Sequence, residues 1–294
     1  MEKLMLIINP VAGRGAYKIN LPDALLTLDK GGYRTTLFFT ADRGDATEFV
    51  RREGSAYDVV VCIGGDGTLS EVVAGLMKLE KRPRLGYFPM GTSNDVATTL
   101  GLPKNDVVAA AECLVNGNPH AFDVGGFDDK YFAYIAAFGA FTDVSYATPQ
   151  DQKRALGHLA YVLQGAASLG KIEPIHAVVE CDEGILEGDY IYGSLSNSTS
   201  VAGIVRLSEE LVSLGDGQSE LVLLKDPKTV AGYGEIMENV INQHYDSENL
   251  IITHTKNVRF HFDKPVPWTR DGEEGGSYQD VELCNYKAAV DFIF

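Results

Sequence analysis

The stretch VVVCIGGDGT at residues 59–68 carries the clearest structural signal in the sequence. Its first five residues are apolar and predict a short buried β-strand, and the glycines that follow predict a tight turn into a helix. Gly64, Gly65 and Gly67 would let the backbone approach a ligand closely. The N-terminus of the helix would present free N–H groups to an anion. The stretch therefore predicts a phosphate-binding turn, with a plain β–α turn as the alternative.

Asp66 is the unusual residue of this turn, because its carboxylate would repel a phosphate group. A cation such as Mg²⁺ between the two would remove that repulsion. Thr68 and Glu71 have the spacing of a capping box, which predicts a helix over residues 69–79. We therefore expect a nucleotide phosphate and a magnesium ion at residues 64–68.

The composition is that of an ordinary globular protein, with 294 residues of which 45% are hydrophobic and 22% charged. This length allows two domains. The four cysteines are far apart and show no CxxC spacing, which predicts reduced thiols rather than disulfides or a zinc site. The N-terminal apolar run is too short for a signal peptide, and we expect a cytoplasmic protein.

The formal net charge of −16 argues against nucleic acid as a partner and against strong electrostatic binding to an anionic membrane. No run of about 18 apolar residues is present to span a bilayer. The charge still allows transient peripheral contact with the inner face of the membrane through an apolar cleft, to which the aromatic stretch 131–141 would contribute. A homodimer is compatible with the sequence, which does not determine the oligomeric state.

Strands and helices alternate through the first 125 residues. Apolar runs predict strands at residues 4–8, 35–39, 59–63 and 85–88. Helical stretches lie between them at residues 16–30, 45–53 and 69–79. This alternation predicts a Rossmann-like, mostly parallel α/β sheet with helices on both faces. In such sheets ligands bind beyond the carboxyl ends of the strands.

Two further loops follow predicted strand ends and have suitable chemistry. The loop 9–15, NPVAGRG, offers glycines and an arginine to a phosphate, or it is a flexible connection. The loop 91–95, GTSND, offers the Thr92 hydroxyl, the Asn94 amide and the Asp95 carboxylate. The alternative for this second loop is a plain N-cap cluster.

The pattern changes after residue 122. Strand-like stretches separated by short turns recur at residues 175–181, 190–196, 219–224, 257–262 and 281–283. They predict mostly antiparallel β structure, as a sandwich or an open barrel. One helix with an apolar stripe is expected over residues 149–169. We therefore predict an α/β nucleotide-binding domain at residues 1–125 and a β-sandwich domain at residues 126–285.

Five motifs occur in the order found in the diacylglycerol kinase catalytic family: INPVAGRG at residues 8–15, GGDGT at 64–68, GTSND at 91–95, DVG at 123–125 and DGE at 271–273. The chain resembles the soluble bacterial lipid kinases of this family along essentially its whole length. The resemblance implies ATP- and Mg²⁺-dependent phosphorylation of a lipid hydroxyl, with diacylglycerol as the expected substrate and phosphatidic acid as the product. It also implies that the last strand, residues 286–294, returns to the first domain.

The resemblance also implies roles for individual residues. The implied ATP-binding residues are Asn9, Thr40, Gly64, Gly65, Asp66, Gly67, Thr68, Glu71, Gly91 and Thr92. Asp66, Asp95 and Asp123 match the acidic residues beside the catalytic magnesium, and Glu273 matches the proposed general base. The chemistry agrees, because carboxylates bind Mg²⁺ and a carboxylate near an alcohol can accept its proton. Glu274 is the competing base, and a solvated acidic turn is the alternative to either.

A second, structural magnesium site of the family is built on a DG turn, which corresponds here to Asp216. The resemblance adds the backbone carbonyls of Ser213 and Gln218 as ligands. The chain departs from the family pattern at Glu210, where a proline is usual, and at Gly215, where an acid often precedes the turn. A simple hydrogen-bonding turn at Asp216 is an equal alternative.

Two other functions stay open at the level of sequence. The first is an NAD kinase-like enzyme, because GGDGT also occurs in NAD kinases. The GTSND motif favours a lipid substrate instead, and so does the lack of the asparagine–glutamate pair that is typical of NAD kinases. A lipid-binding protein that has lost catalysis would keep the same fold. The four acidic residues proposed for catalysis are all retained, which favours an enzyme.

Overall fold

The computed structural model describes residues 1–15, 17–140, 172–198, 200–201, 205–206, 213–241 and 247–294. The helix expected over residues 149–169 lies outside the described residues. No helix of the described part is long and apolar enough to cross a membrane.

The first part of the chain forms a parallel sheet between two layers of helices. Its strands are β1 (Glu2–Ile8), β2 (Tyr33–Phe39), β3 (Val59–Gly64) and β4 (Arg84–Pro89). Its helices are α1 (Tyr17–Lys30), α2 (Asp45–Glu53), α3 (Asp66–Leu76), α4 (Asp95–Thr99) and α5 (Val107–Asn116). The strands follow the order β2-β1-β3-β4 and all run parallel. The predicted α/β alternation is confirmed.

The strands of this sheet read as nearly continuous apolar runs because both of their faces are buried. Met5 and Ile7 of β1 pack with residues of α2 and α3 on one face, and Leu4 and Leu6 pack with α1 and α5 on the other. Ile8 is opposite both Phe39 and Ile63. The strands therefore end together, and the loops that follow them meet at one edge of the sheet.

Helix α3 begins earlier than the sequence indicated. It starts at Asp66, with Gly65 as its N-cap and no side-chain capping hydrogen bond. The predicted capping box at Thr68 and Glu71 is wrong, because both residues lie inside the helix. Gly65 enters the helix from extended backbone, so this glycine of the GGDGT turn itself sets the boundary. The Glu71 carboxylate instead accepts hydrogen bonds at the N-terminus of α2.

The second part of the chain is built mainly from antiparallel strands. They are β5 (Pro119–Phe127), β6 (Lys130–Phe132), β7 (Ile135–Gly139), β8 (Ile175–Cys181), β9 (Gly184–Ser196), β10 (Ser200–Val201), β11 (Val205–Arg206), β12 (Ser219–Lys225), β13 (Leu250–Thr255), β14 (Asn257–Arg270) and β15 (Glu273–Ile293). Helix α6 (Val230–Ile241) lies between β12 and β13. Strands β7 and β8 lie end to end between β9 and β14, and β12 and β13 continue beyond β9. The chain is thus a mixed α/β protein with many strands, as expected.

The long strand β15 joins the two parts of the molecule. Its first half pairs with β14, and its second half pairs with β5. Near its end Phe292 pairs in parallel with Leu85 of β4. In the described residues, thirteen strands are therefore hydrogen-bonded into one continuous network. This continuity fixes the turn that precedes β15 relative to the loops that follow β1 to β4.

Candidate active site

The three loops proposed from sequence contact one another through glycines. A side chain at Gly91 would bring its Cβ to 2.5 Å from the Gly65 Cα. Gly13 has a φ of +55°, and a Cβ there would lie 2.8 Å from the Met90 carbonyl oxygen. The Met90 N–H in turn donates to the Gly64 carbonyl at 2.7 Å. Glycine is needed at these positions because backbone approaches backbone with no room for a side chain.

The Asn94 side chain holds the GTSND loop together through hydrogen bonds within the loop. It is fully buried and adopts the left-handed conformation, with φ at +51°. Its side-chain oxygen accepts from the Gly91 N–H at 2.9 Å and from the Tyr87 hydroxyl at 3.1 Å. Its amide donates to the Gly91 carbonyl at 2.9 Å. Asn94 stands at the N-cap of α4, but its side chain does not cap the helix.

The Asp66 carboxylate caps α4 from the neighbouring loop. It accepts from the Asp95 N–H at 3.1 Å and from the Val96 N–H at 3.4 Å. Burial raises the pKa of Asp66 to about 7, and the nearby Asp95 carboxylate adds to the rise. Asp66 therefore joins the GGDGT and GTSND loops while carrying a charge that the site destabilises.

Asp95 completes a pair of carboxylates at the loop junction. Burial raises its pKa, while the Lys104 charge and a hydrogen bond from the Tyr134 side chain oppose the rise. Lys104 also donates to the Ser93 carbonyl at 3.2 Å. Both carboxylates are partly buried, and two like charges in such surroundings favour either a shared proton or a bound cation. The donor set at Asp66 and Asp95 thus fits a hard divalent ion such as Mg²⁺.

The turn before β15 builds the opposite wall of the site. The Asp271 carboxylate is buried and accepts from the N–H groups of Ala133, Tyr134 and Ile135 at 2.7, 3.0 and 3.1 Å. Burial raises the pKa of Asp271, whereas these bonds and one from Ser70 lower it. Asp271 thereby fixes Tyr134, whose side chain reaches Asp95. The sequence showed Asp271 only as a turn residue.

Glu273 lies beside the GGDGT loop. A Cβ added to Gly67 would be 2.9 Å from one Glu273 carboxylate oxygen. The other oxygen accepts a hydrogen bond from the Arg43 guanidinium, and the Glu273 side chain is 44% exposed. Glu274 is exposed and pairs across the sheet with Thr269. The folding of the second part of the chain thus brings Glu273, and not Glu274, to the GGDGT loop.

The other residues implied for ATP lie along the same edge. Asn9 donates to the Thr68 hydroxyl at 3.2 Å, and Thr40 follows β2 with its N–H on the Ile8 carbonyl at 3.0 Å. Thr92 is exposed at the rim. Glu71 caps α2, because its carboxylate accepts from the N–H groups of Gly44 and Ala46. Their roles in ATP binding stay predictions.

Asp123 has partners other than Asp66 and Asp95. It is fully buried and accepts from the N–H groups of Gly217 at 2.7 Å and Ala288 at 2.6 Å. Burial raises its pKa, and Asp216 is the charged group that adds to the rise. Strand β15 lies between β4 and β5, which separates Asp123 from the loop after β4.

The expected gathering of three carboxylates around one ion is therefore not seen. In the described part of the chain, no group of three or more His, Cys, Asp or Glu side chains is placed to hold a metal. The reason is topological: Asp123 belongs to an antiparallel strand, whereas the first two carboxylates follow parallel strands.

The DG turn at Asp216 has the geometry of a simple hydrogen-bonded turn, which was the alternative to a metal site. The Asp216 carboxylate accepts from the Gln218 N–H at 2.9 Å, which is the usual side-chain hydrogen bond of such a turn. The Gln218 carbonyl already accepts from the Asn285 amide at 2.9 Å. Ser213 is exposed nearby in sequence. Metal binding by Ser213, Asp216 and Gln218 stays a prediction.

Comparisons with known proteins define the family. Residues 3–127 match the diacylglycerol kinase catalytic domain. A Bacillus subtilis diacylglycerol kinase is 32% identical over 277 residues, which cover 94% of this chain and 91% of that protein. A Staphylococcus aureus diacylglycerol kinase is 34% identical over 277 residues, 94% of this chain and 87% of that protein.

The fold agrees with that family. A solved Bacillus anthracis structure matches with a TM-score of 0.83 at 25% identity and covers all of this chain and 95% of that one. A second structure, of a Bacillus anthracis diacylglycerol kinase, matches with a TM-score of 0.78 at 21% identity over 100% of this chain and 97% of that chain, which shows the fold alone.

Glycine loops meet beside the partly buried carboxylates of Asp66 and Asp95 at one edge of the sheet, an arrangement suited to phosphate chemistry. Together with the relatives, it places the chain in a kinase family. The chain belongs to the diacylglycerol kinase family.

The raised pKa of Asp66 predicts a pH-dependent gain in stability when its charge is removed. Asp66 in the folded protein binds its proton up to about pH 7, whereas in the unfolded chain it ionises near pH 4. Folding therefore becomes less favourable as the pH rises between these values. The wild type loses this stability as the pH rises, and the Asp66→Asn variant does not. We therefore expect the difference in free energy of unfolding between the variant and the wild type to be more favourable to the variant at pH 8 than at pH 4, by on the order of 2–4 kcal/mol in metal-free buffer.

Urea unfolding at both pH values measures this difference. Asp291→Asn, which removes an exposed carboxylate, is the control and should show the same stability change at both pH values. If the effect of Asp66→Asn on stability does not vary with pH, the folded protein does not raise the pKa of the Asp66 carboxylate.

Removing the Asp271 carboxylate should destabilise the protein. Asp271→Ala leaves three buried N–H groups without their acceptor, and each unsatisfied group carries a penalty. We expect a loss of about 3 kcal/mol or more in the free energy of unfolding. Thermal and urea unfolding measure it, with the exposed Glu274→Gln as the near-neutral control. If Asp271→Ala lowers the free energy of unfolding no more than the surface substitution Glu274→Gln does, the structural role of Asp271 is contradicted.

Proposed function

We propose that this protein transfers the γ-phosphoryl group of ATP to the hydroxyl of diacylglycerol or a related lipid alcohol, giving phosphatidic acid or an analogue. The observation that carries the proposal is the pair of partly buried carboxylates, Asp66 and Asp95, at the junction of two glycine loops. Relatives that align over nearly the whole chain are named diacylglycerol kinases, which supports the substrate class.

The backbone of the glycine loops supplies the phosphate contacts in this proposal. Gly65 stands at the start of α3, where an added Cβ would lie 3.2 Å from the Gly91 Cα, and the N-terminus of α3 adds its dipole. Asp66 and Asp95 would hold Mg²⁺, which when bound neutralises charge on the phosphate oxygens. The other ATP contacts proposed are Asn9, Thr40, Thr68, Glu71 and Thr92.

Glu273 is the proposed general base. Its carboxylate accepts the proton of the lipid hydroxyl as the new oxygen–phosphorus bond forms. The bond from the γ-phosphorus to the bridging oxygen breaks at the same time, and ADP leaves with that electron pair. The position of Glu273 beside Gly67 supports this role, since the hydroxyl must lie in line with the transferring group.

In this proposal each of the two parts of the chain binds one of the two substrates. We propose that residues 1–125, with the end of β15, bind the nucleotide and that residues 126–285 form a β-sandwich domain that receives the lipid. The lipid would reach the site during transient contact of the protein with a membrane. Asp123 supports the site indirectly, by holding the turn at Gly217 to β15.

ATP should bind this protein with the help of Mg²⁺, because Asp66 and Asp95 would otherwise repel its phosphates. We expect ATP affinity to fall by at least about tenfold in EDTA, the effect of roughly 1.4 kcal/mol. Calorimetry measures the affinity, and labelled ATP with diacylglycerol in mixed micelles measures turnover. Equal ATP affinity with and without metal would contradict the metal role, and phosphorylation of NAD without a lipid product would contradict the substrate class.

Replacing Glu273 tests the proposed base. Glu273→Gln keeps the size of the side chain but removes its basicity, so we expect kcat to fall by roughly 10²–10⁴-fold without loss of ATP affinity. Glu274→Gln is the matched control and should change kcat little, because Glu274 faces away from the loops. Full activity of the Glu273→Gln variant would rule the assignment out.

A further inference from the structure

The loop between β2 and α2 is held in a fixed shape on both sides. The Glu71 carboxylate accepts from the Gly44 N–H at 2.8 Å and the Ala46 N–H at 3.3 Å. The Asp45 carboxylate accepts from the N–H groups of Ala41 at 2.7 Å and Asp42 at 2.8 Å. Gly44 allows the sharp bend with φ at +91°. These contacts fix the backbone at residue 43.

Arg43 extends from this loop to the proposed base. Its guanidinium forms an ion pair with one oxygen of Glu273, and the other oxygen of Glu273 borders Gly67 of the phosphate loop. The two residues are 230 positions apart in sequence, so only the tertiary fold brings them together. The ion pair occupies one of the two oxygens of the carboxylate that the lipid hydroxyl would need.

The site has more negative than positive charge. Asp66, Asp95, Glu71 and Glu273 all stand at the loop junction, and ATP brings several further negative charges. The sequence has no lysine of the GxxxxGK type after its strand–glycine turn. Among the side chains that the structure describes, Arg43 is the cation that contacts a residue bordering the GGDGT loop.

An exposed ion pair is easily exchanged for a better one. The Arg43 and Glu273 side chains are 66% and 44% exposed, and pairs of this kind are worth only about 0–1 kcal/mol. A guanidinium binds phosphate oxygens through two parallel hydrogen bonds, which are stronger and more directional. A phosphate group at the GGDGT loop would therefore compete well for Arg43.

We propose that Arg43 is an exchangeable phosphate ligand, which leaves Glu273 and binds the terminal phosphate when ATP enters the site. This inference rests on the proposed function. The exchange does two things at once: it neutralises charge on the transferring group, and it frees the second oxygen of the Glu273 carboxylate. The unpaired carboxylate is the better base for the lipid hydroxyl.

The test compares ATP with ADP, because only ATP carries the terminal phosphate. In the presence of Mg²⁺, Arg43→Gln should weaken ATP binding by roughly 10- to 100-fold, the range of a charge-assisted hydrogen-bonded pair. ADP binding should change by less than about twofold. Arg43→Lys should recover part of the ATP affinity, because it restores the charge without the planar fork.

Arg51→Gln is the matched control. Arg51 lies on α2, the helix that follows the Arg43 loop, and makes a similarly exposed ion pair with Glu48 at 2.7 Å, so its substitution removes the same charge from a nearby position. It should leave the affinities for ATP and ADP unchanged. Equal effects of Arg43→Gln on ATP and ADP, or no effect on either, would overturn the proposal.

A double-mutant cycle tests the exchange itself. Glu273→Gln removes the partner that Arg43 must leave, so ATP binding should become equal or up to about fivefold tighter. This gain should vanish when Arg43 is already Gln. A gain that persists in the double variant would contradict the exchange.

The outcomes also separate this inference from the proposed function. If the wild-type protein binds ATP but phosphorylates no lipid, the proposed function fails, and the ATP–ADP comparison still decides the role of Arg43. If the lipid is phosphorylated and Arg43→Gln binds ATP as the wild type does, the role of Arg43 fails alone.

Discussion

The hydrogen bonds from the N–H groups of Asp95 and Val96 to the Asp66 carboxylate are the interaction on which the site depends. They join the loop after β3 to the loop after β4, and the contact of Gly65 with Gly91 brings the two backbones close enough for them to form. Because the same carboxylate is partly buried next to Asp95, the protein holds a charge that it only partly satisfies. A bound cation would satisfy that charge, which links the stability of the fold to the function of the site.

The second part of the molecule completes this site through one strand. Strand β15 begins at Glu273, beside the nucleotide loops, and ends inside the parallel sheet next to β4. The turn before it carries Asp271, whose buried carboxylate fixes the backbone around Tyr134. Tyr134 in turn contacts Asp95. A chain of hydrogen bonds therefore connects Asp271, in the turn just before the proposed base, with Asp95 and Asp66, although these residues come from distant parts of the sequence.

The acidic residues of the site act in two different ways. Glu71 and Asp271 accept backbone N–H groups and shape loops, so their negative charge is used structurally. Asp66 and Asp95 are partly buried near each other, and Glu273 is held by the exposed guanidinium of Arg43. The first group uses its charge to shape the loops, whereas the second group carries charge that its contacts within the protein satisfy only in part.

The sequence by itself determined the parallel strands, the glycine loops and the order of the motifs, because apolar periodicity and glycine turns are local properties of the chain. It also indicated the residues that meet at the loop junction, since parallel strands end at a common edge. Only the tertiary structure decided which partner each carboxylate has. Glu71 caps α2 instead of its own helix, Asp123 binds Gly217 and Ala288 instead of joining Asp66, and Arg43 meets Glu273. These contacts depend on strand pairing between residues far apart in sequence, which no local pattern records.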